Sequence, residues 1–499
     1  LLGNVAEGVT VTTFHSLALR ILRSQHELAG LPVDFSLVDQ DGCVALLRAA
    51  SDLSASAATE AVAGTLQAMA EGGVPEETPH GPELVTALKN DSLVPLDALV
   101  PRCLQLLQAN PDIVASLGCQ WLCVDEYQDV NRAQYDLVRV LAQDAKSVCV
   151  IGDPDQAIYG FRGADVGYFL RFNEDFPDAR VIQLGHNFRS SGTIVSAASQ
   201  VMRPGRSTMS VAAETVLDAG VRIRFHGAPT AAAEAEFITH EIEKWLGGTA
   251  LFSVDSSRVQ EEATSDVSFS DIAILVRLRA LIPPVVTALE RLGVPVQVVG
   301  DEAFMDTAGA RALITALQSW SANRRDVPAP TALAEFAEDE ATRRLSPKAL
   351  NALQTCLKLA TDEHDPLSAF LDRVLLRRNT DQYETQAEKV TILTMHAAKG
   401  LEFPIVFVAG CEQGLVPYVK PGEDSCDQEE ERRLLYVAMT RAKEVLYLTS
   451  TRKRALFGKT EERAPSPFLD EIQDVLRDRL IMPRRKQRPS SAQLEFSFG

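Results

Sequence analysis

The sequence predicts an α/β protein with two parallel-sheet units, one before and one after about residue 180. Short apolar runs end abruptly in polar or acidic residues and alternate with amphipathic helical patterns, as parallel strands joined by crossover helices do. This alternation occurs twice along the chain. Two further stretches, 24–95 and 306–387, have a helical pattern without strand signals, and we interpret them as helical insertions.

Chain length and charge restrict the class of protein. At 499 residues the chain is long enough for several domains with a large core. The net charge of −19, from 49 Lys and Arg against 68 Asp and Glu, argues against a protein coated in basic surface. Nucleic acid is still a candidate ligand, because aromatic and backbone groups in a local channel can bind single strands on an acidic protein.

The cysteines and the apolar runs indicate the cellular compartment. The eight cysteines include no Cys-x-x-Cys pair. Cys119, Cys123 and Cys149 lie in apolar, strand-like runs, so we expect reduced core cysteines in a cytoplasmic protein. No apolar run is long enough to span a membrane and no signal peptide is visible, so we expect no membrane partner. The first residue is Leu1, and we expect the chain to begin inside a longer protein.

The first unit opens with a predicted strand at 9–13 that runs into an amphipathic helix. Thr12 or Thr13 is in position to cap this helix. Phe14 and His15 fall at the junction, where an aromatic and a polar ring could contact a base or a phosphate. A hydrophobic staple is an equal alternative for this stretch.

Residues 121–129 form the stretch around which the first unit is organised. Four mostly apolar residues, which predict a buried parallel strand, end in Asp125 and Glu126. Ligands of open α/β sheets gather at the carboxyl ends of strands. There Asp125 suits a Mg²⁺ ion, and Glu126 suits a base for the water that attacks a γ-phosphate. The alternative is an acidic strand end that faces solvent.

The next predicted strand, at 147–151, ends in a polar loop punctuated by glycines. Gln156 in this loop can bind a phosphate or the attacking water. Tyr159 and Phe161, with Arg162 beside them, would form a stacking platform for unpaired bases. Isolated aromatics are more often core residues, but the flanking glycines favour an exposed loop.

The second unit starts with a predicted strand at 181–184. Arg189 follows it and could reach a phosphate as an arginine finger does, while Phe188 could stack on adenine. Arg441 lies in an apolar, small-residue context that a solvated charged face explains poorly. We predict further strands at 221–225, 271–276, 294–299, 389–395, 405–409 and 445–450, and helices at 231–245, 281–292 and 428–443.

Taken together, six stretches resemble, in the correct order, the motifs of the UvrD/Rep-type helicases of superfamily 1. They are Thr-Phe-His (13–15), Asp-Glu-Tyr-Gln-Asp (125–129), Gly-Asp-Pro-Asp-Gln-Ala-Ile-Tyr-Gly-Phe-Arg-Gly-Ala (152–164), Asn-Phe-Arg-Ser (187–190), Thr-Met-His-Ala-Ala-Lys-Gly-Leu-Glu-Phe (394–403) and Tyr-Val-Ala-Met-Thr-Arg-Ala (436–442). The resemblance covers about residues 9 to 475.

The resemblance implies two RecA-like domains of the P-loop NTPase fold, with ATP between them and single-stranded DNA across their tops. Its implied domains are a first RecA-like domain at 1–23 and 96–180, incomplete at its N-terminus, a helical insertion at 24–95, a second RecA-like domain at 181–305 and 388–480, a short helical insertion at 306–387, and a disordered tail at 481–499.

The resemblance also implies a role for each motif residue. Asp125 would hold Mg²⁺ and Glu126 would activate water. The γ-phosphate would be contacted by Gln156, Arg189 and Arg441. The nucleotide would also be bound by Phe188 at adenine, by Glu402 at the ribose, and by Gly400 of the same motif. The DNA path would be lined by Phe14, His15, Tyr159, Phe161, Arg162 and His396.

The chain departs from the family pattern in three places. The phosphate-binding pattern Gly-x-x-x-x-Gly-Lys-Ser/Thr is absent, and Gly458-Lys459-Thr460 is a decoy because Lys453 stands where the first glycine belongs. In the family this loop would lie upstream of Leu1. Val416 replaces the usual Phe before Pro417, and Tyr418 is the residue that could compensate. The short insertion at 306–387 supports translocation more firmly than strand separation.

The sequence therefore predicts an ATP-dependent 3′ to 5′ helicase or translocase that acts on single-stranded and junction DNA in repair or replication, and whose 499 residues alone are inactive. One alternative is a module that binds DNA or a partner without ATP turnover. A helicase-fused nuclease is another, although the sequence has no metal-binding nuclease cluster. The tail at 493–498, Gln-Leu-Glu-Phe-Ser-Phe, is similar to peptides that bind the bacterial sliding clamp.

Overall fold

The structure, a computed structural model, describes residues 8–206, 214–247, 267–299, 308–320, 324, 327–340, 342–362, 365–376, 387–423 and 425–480. The chain divides into two compact units. Unit 1 comprises Leu1–Val181 and Gly300–Tyr383, and unit 2 comprises Ile182–Val299 and Glu384–Gly499. No helix among the described residues is long and apolar enough to cross a membrane.

The described helices and strands alternate along most of the chain, as the α/β prediction requires. The α-helices are α1 (Phe14–Ser24), α2 (Gln40–Ala50), α3 (Ala55–Ala70), α4 (Gly81–Asn90), α5 (Leu99–Ala109), α6 (Pro111–Leu117), α7 (Arg132–Leu141), α8 (Gly167–Leu170), α9 (Phe172–Asp175), α10 (Gly192–Met202), α11 (Ala231–Trp245), α12 (Ile282–Arg291), α13 (Ala308–Trp320), α14 (Ala329–Glu338), α15 (Pro347–Leu359), α16 (Leu367–Leu375) and α17 (Gln428–Met439). The strands are β1 (Ser36–Val38), β2 (Leu93–Pro95), β3 (Trp121–Val124), β4 (Ser147–Val150), β5 (His186–Asn187), β6 (Glu214–Thr215), β7 (Ile223–Thr230), β8 (Ile272–Val276), β9 (Val296–Val299), β10 (Val390–Thr394), β11 (Phe403–Ala409), β12 (Ala442–Leu456), β13 (Lys459–Glu462) and β14 (Arg477–Arg479).

Helices of unit 1 begin where the sequence offers side-chain caps. The Thr13 hydroxyl accepts a hydrogen bond from the Ser16 N–H at 3.2 Å at the start of α1. Asn131 forms a capping box with Gln134 at the start of α7. These caps satisfy backbone donors that the first helical turn leaves unpaired. Thr13 is therefore the capping residue of the two that the sequence offered.

The insertion at 24–95 packs around its own apolar cluster. Helices α2, α3 and α4 bury residues that include Leu47, Val62 and Leu84. It is not wholly helical, because β1 and β2 form a short parallel pair in which Leu37 lies opposite Val94.

Helices α13 to α16, from the second predicted insertion, belong to unit 1. Their apolar faces join the same buried cluster as α1 and α5, in which Leu313 and Phe370 share a core with Leu22. An ion pair between Arg23 and Asp372, with 2.6 Å between Nη2 and Oδ2, supports this packing. The helical pattern alone could not show which unit these helices would join.

The sheet of unit 1 differs from the sequence prediction. Strands β3 and β4 pair in parallel, with Cys123 opposite Cys149, and among the described residues they pair only with each other. Trp121 is 73% exposed, and both of these cysteines are exposed while Cys119 is half-buried. The predictions of a buried strand here and of three core cysteines are wrong, because a parallel strand is buried only when neighbours cover its edges and faces.

Two predicted strands are also not formed. Residues 9–13 make no strand, and Val9 and Val11 are exposed. Residues 181–184 also make no strand. The next strand along the chain is β5, which pairs in parallel with β6. β-branched residues favour extended backbone, but a strand also needs a hydrogen-bonding neighbour.

Unit 2 contains the large sheet, whose strand order is β14, β7, β12, β11, β8, β10, β9. Neighbours in this order are parallel, and β13 pairs antiparallel with β12 at its far end. Every residue of β8 is buried, as its run Ile-Ala-Ile-Leu-Val predicts. Apart from the strand expected at 181–184, the predicted strands and helices of this unit are confirmed to within a few residues, although β7 and β12 extend well beyond their predicted ends. The predicted α/β fold is confirmed.

A buried ion cluster joins three elements of unit 2. Arg454 of β12 lies 2.5 Å from Glu234 of α11 and 2.6 Å from Glu412, which follows β11. Glu412 also accepts a hydrogen bond from the Thr451 N–H, and Glu234 accepts one from the Thr449 hydroxyl. Because Arg454 and both glutamates are buried, the two carboxylates depend on this one guanidinium and on these hydrogen bonds.

Candidate functional site

Asp125 and Glu126 stand exposed at the carboxyl end of β3. Glu126 has a left-handed backbone with φ of 52°, and its N–H donates to Asp125 Oδ1 at 2.9 Å. The Tyr127 N–H donates to the Ile151 carbonyl at 2.9 Å and so ties this turn to the end of β4. Non-glycine residues adopt this conformation rarely and at a cost, often at functional sites. The strand therefore ends in a sharp turn that presents two acids.

A chain of hydrogen bonds connects Glu126 to the loop after β4. Gln128 Nε2 donates to Glu126 Oε2 at 2.5 Å, and Gln128 Oε1 accepts from the Asp153 N–H at 3.0 Å. Asp153 Oδ2 in turn accepts from Gln156 Nε2 at 2.8 Å. The structure thus joins two predicted residues, Glu126 and Gln156, through two that the sequence reasoning missed. The signal was present, since Gln128 and Asp153 lie inside the same two motifs.

The donor set at this strand end fits a magnesium ion that binds together with a nucleotide. The described residues contain no group of three or more His, Cys, Asp and Glu side chains that could hold a metal. Mg²⁺ usually takes one or two protein carboxylates and completes its shell with water and phosphate oxygens. A carboxylate that accepts one N–H, as Asp125 does, has lone pairs left for such an ion.

The predicted stacking platform lies in an exposed loop of unit 1. The Tyr159 and Phe161 rings are 6.2 Å apart and tilted by 53°, and the Arg162 guanidinium lies 5.5 Å from each ring. Phe161 is 64% exposed, while Tyr159 is half-buried. For Phe161 the exposed-loop alternative is therefore favoured over the core alternative.

The two rings at the start of α1 are less available. Phe14 is half-buried and packs against apolar clusters that contain Leu22 and Tyr127, which favours the packing alternative over base contact. His15 is half-buried near Asp97. Burial raises the pKa of the Asp97 carboxyl, and the neighbouring His15 partly offsets that rise.

In unit 2, Arg189 and Glu402 contact each other. Arg189 Nε donates to Glu402 Oε2 at 2.6 Å, and Lys443 Nζ lies 2.8 Å from Glu402 Oε1. Hydrogen bonds from Lys443 and Arg189 lower the pKa of the Glu402 carboxyl. Phe188 is exposed nearby in sequence, and Gly400 has the positive φ of 85° that glycine adopts readily. Lys443, which the sequence reasoning missed, adds a second positive charge to this group.

Arg441 is buried within unit 2. It is 2% exposed, with Nε donating to the Val437 carbonyl at 2.9 Å and Nη1 donating to the Leu401 carbonyl at 3.2 Å. In the described conformation its guanidinium binds protein carbonyls, so a phosphate contact requires these bonds to be shared. His396, in the turn after β10, is half-buried.

Tyr418 does not stand as an open platform. It is half-buried against the core of unit 2, and its N–H donates to Glu431 Oε2 at 2.9 Å. The Arg277 guanidinium lies 5.0 Å over its ring and is itself paired with Glu431 at 2.6 Å. Tyr418 therefore has a packing role that the sequence left open.

The hairpin of β12 and β13 presents an aromatic residue that the sequence reasoning missed. Phe457 at its tip is 70% exposed and has a left-handed backbone with φ of 50°. Gly458 follows with φ of 79°, and Lys459 opens β13. The Gly-Lys-Thr sequence is thus a hairpin turn and the start of a strand, as its interpretation as a decoy requires.

Comparison with known families identifies both units. A model of the UvrD-like helicase C-terminal domain matches residues 182–360 and 337–453, and a model of the UvrD/REP helicase N-terminal domain matches residues 79–177. The chain is similar to the C-terminal domain of a possible DNA helicase from Lactobacillus, but with 14% identity over 59% of this chain and 98% of that one, and a TM-score of 0.28.

Similar proteins span nearly the whole chain. The ATP-dependent DNA helicase PcrA of Staphylococcus epidermidis is 29% identical over 605 residues, covering 100% of this chain and 80% of that protein. The PcrA proteins of Leuconostoc citreum and Staphylococcus aureus are 29% and 28% identical, cover 95% of this chain, and are covered to 76% and 77%. With the family models matching residues of both units, the chain belongs to the UvrD-like helicase family.

Proposed function

We propose that this protein is an ATP-dependent DNA helicase or translocase that moves 3′ to 5′ along single-stranded DNA in repair or replication. The observation that carries the proposal is the turn at Glu126, where an acid beside Asp125 is bonded through Gln128 and Asp153 to Gln156. A metal ligand, a base and an amide at one strand end are the groups that phosphoryl transfer to water needs.

The proposal assigns the nucleotide chemistry residue by residue. Asp125 would hold Mg²⁺, which when bound with ATP neutralises charge on the phosphate oxygens. Glu126 would accept a proton from the attacking water, and Gln156 would orient that water or the γ-phosphate. From unit 2, Arg189 would bring positive charge to the phosphates, with Lys443 paired to the same carboxylate of Glu402.

Further nucleotide contacts follow from the family pattern. Phe188 would stack on adenine, and its exposure supports this assignment. Glu402 would bind the ribose after exchanging one of its two cations for a hydroxyl, and Gly400 gives that loop its turn. Arg441 would contact the γ-phosphate only by sharing donors that now bind carbonyls.

For DNA, the proposal assigns Tyr159, Phe161 and Arg162 as a platform on which unpaired bases stack. Their exposed loop and close ring spacing support it. The net charge of −19 argues against binding through a broad basic surface, so local aromatic contacts would carry more of the affinity. His396, His15 and Phe14 complete the proposed path, with Phe14 contributing least because it is packed.

Strand separation at junction DNA would use the hairpin of β12 and β13. A duplex end exposes a flat base pair, and an exposed aromatic ring on a two-stranded hairpin can stack on it. Phe457 is such a ring, and it lies exposed at the hairpin tip with a left-handed backbone. This hairpin is the described feature that most favours unwinding over translocation alone.

We further propose that turnover needs a phosphate-binding loop that these 499 residues do not contain. The same absence favours a second candidate function, a module that holds DNA or a partner without ATP turnover. Steady-state ATPase with and without single-stranded DNA, measured on the full-length protein and on its Glu126→Gln variant, separates the two. DNA-stimulated ATP turnover that the variant loses supports the helicase. Absence of such turnover in the unsubstituted protein supports the binding module.

Three further proposals concern compartment and partners. Residues 481–499 lie outside the described residues, so the disordered tail and its clamp-binding peptide remain sequence predictions. Binding of a sliding clamp is proposed on the tail sequence alone. A cytoplasmic location is proposed for a DNA-acting protein with reduced cysteines.

A further inference from the structure

We propose that Gln128 is a positioning residue for ATP hydrolysis, which holds the Glu126 carboxylate and links it to Gln156 through Asp153. The inference rests on the proposed function, and it assigns to Gln128 a role that neither strand-end acid fulfils. Gln128 would act through Glu126, without touching nucleotide or metal itself.

The burial of Gln128 is the first argument. The side chain is 0% exposed, so its amide cannot exchange hydrogen bonds with water. A buried side-chain amide is tolerated in a folded protein when its donor and acceptor groups form hydrogen bonds. Here Nε2 donates to Glu126 Oε2 and Oε1 accepts from the Asp153 N–H, so the two ends of one amide connect two motifs.

The exposure of Glu126 is the second argument. An exposed glutamate samples several side-chain rotamers, and a bond from a packed donor selects among them. The bond to the carboxylate is short, at 2.5 Å, as charge-assisted hydrogen bonds are. Because a general base must lie within hydrogen-bond reach of the proton it takes, this selection bears directly on rate.

The third argument is the space at Gly152. A Cβ added there would stand 2.5 Å from Gln128 Oε1 and 2.9 Å from Phe169 Cε2. The backbone of Gly152 is not in the left-handed region, so conformational freedom does not explain the glycine. Its lack of a side chain leaves room for Gln128 to reach the Asp153 N–H, and Gly152→Ala disturbs the link from the opposite side.

The chain of hydrogen bonds also reaches Gln156, so the positions of Glu126 and Gln156 depend on the same contacts. Asp153 accepts from Gln156 Nε2 with one carboxylate oxygen and from the Asp155 N–H with the other. Displacement of the Asp153 backbone therefore moves Gln156. Gln128 is in this way positioned to transmit a shift of the loop after β4 to Glu126.

The test compares Gln128→Leu with Gln143→Leu, the same substitution at an exposed glutamine of unit 1. In the full-length protein Gln128→Leu should lower kcat about ten- to hundredfold, since a positioned base contributes about 10²- to 10⁴-fold and only its placement is lost. KM for ATP should change little, and the protein should stay folded at the assay temperature, although losing two buried hydrogen bonds lowers its melting temperature. Gln143→Leu should leave all three unchanged, and Gly152→Ala should lower kcat in the same way as Gln128→Leu.

A double-mutant cycle separates positioning from a purely structural role. In a Glu126→Ala background Gln128→Leu should change the residual turnover less than twofold, because the residue it acts through is gone. A further tenfold loss in that background would show that Gln128 acts elsewhere and would overturn the proposal. A loss of kcat that is explained by unfolding of the variant at the assay temperature would also overturn the proposal.

A second measurement does not depend on turnover. Amide hydrogen exchange at Asp153 should accelerate in Gln128→Leu, which removes the acceptor, and should stay slow in Gln128→Glu, which retains an acceptor oxygen. Unchanged exchange in Gln128→Leu would show that the Asp153 N–H is not protected by its hydrogen bond to Gln128. If the wild-type protein shows no ATPase while this exchange pattern holds, the proposed function and the positioning role of Gln128 both fail, but the hydrogen-bonded link stands.

Discussion

Replacing Phe161 by alanine should weaken single-strand binding without unfolding the protein. The ring is 64% exposed and lies 6.2 Å from Tyr159, so its removal takes little area from the core and half of the proposed platform. Stacking of a base on an aromatic ring contributes about 1–3 kcal/mol, which corresponds to a rise in Kd of roughly 5- to 150-fold. Because Arg162 also packs over this ring, we expect about tenfold or more by that estimate.

Fluorescence anisotropy of a labelled single-stranded oligonucleotide, at one fixed salt concentration, measures the change in Kd. Leu28→Ala is the matched control, because Leu28 is an apolar residue of similar exposure that has no proposed role. Phe161→Ala should shift Kd while both variants keep the wild-type melting temperature. An unchanged Kd, or a melting temperature that falls sharply, would refute the stacking assignment.

Further outcomes follow from the strand-end acids, the buried ion cluster and the tail. Glu126→Gln should abolish ATP hydrolysis but retain nucleotide binding, as steady-state ATPase and equilibrium titration would show; turnover within a few-fold of wild type would contradict its role. Arg454→Leu should destabilise unit 2 by about 3–5 kcal/mol in urea unfolding, because it leaves Glu234 and Glu412 as buried, unpaired charges; a smaller loss would mean that water reaches them. Deleting residues 490–499 should abolish sliding-clamp binding in calorimetry, and no binding by the intact tail would end that hypothesis.

The strands of unit 2 could be predicted because each is an uninterrupted apolar run covered by neighbours. Residues of β8 and β10 are buried on both faces, so composition alone identifies them. Helix α11 was predicted to the residue, since Thr230 caps it and Trp245 ends its apolar pattern. Local preference and tertiary packing favour the same structure at these positions, so the sequence alone predicts it correctly.

The sequence failed where structure depends on a distant partner. Residues 9–13 and 181–184 have strand propensity, but among the described residues nothing pairs with them. Burial of Cys123 was inferred from its apolar run, yet burial requires a covering layer. The amphipathic pattern of the helices at 308–375 does not show which unit they pack against, and the structure places them in the core of unit 1.

The site was only partly readable for the same reason. Motifs indicated the residues that we propose to react, whereas the contacts of Gln128 and Lys443 with Glu126 and Glu402 became visible only in the structure. The apolar, small-residue context of Arg441 argued against a solvated face, and its burial agrees, but its carbonyl partners were not apparent from the sequence. Gln128 lies inside a motif, but its position in the sequence does not show which side chain it contacts.

The most direct test of the central claim is DNA-stimulated ATP hydrolysis by these 499 residues and, in parallel, by an extended chain in which a phosphate-binding loop is supplied by design ahead of Leu1. ATP carries several negative charges, and the sequence of these 499 residues contains no Gly-x-x-x-x-Gly-Lys-Ser/Thr pattern whose backbone N–H groups and lysine could oppose them beside Asp125 and Glu126. We predict turnover stimulated by single-stranded DNA in the extended chain and none in the 499 residues alone. Stimulated turnover by the 499 residues alone would contradict this account, because residues with no assigned role would then be binding the phosphates.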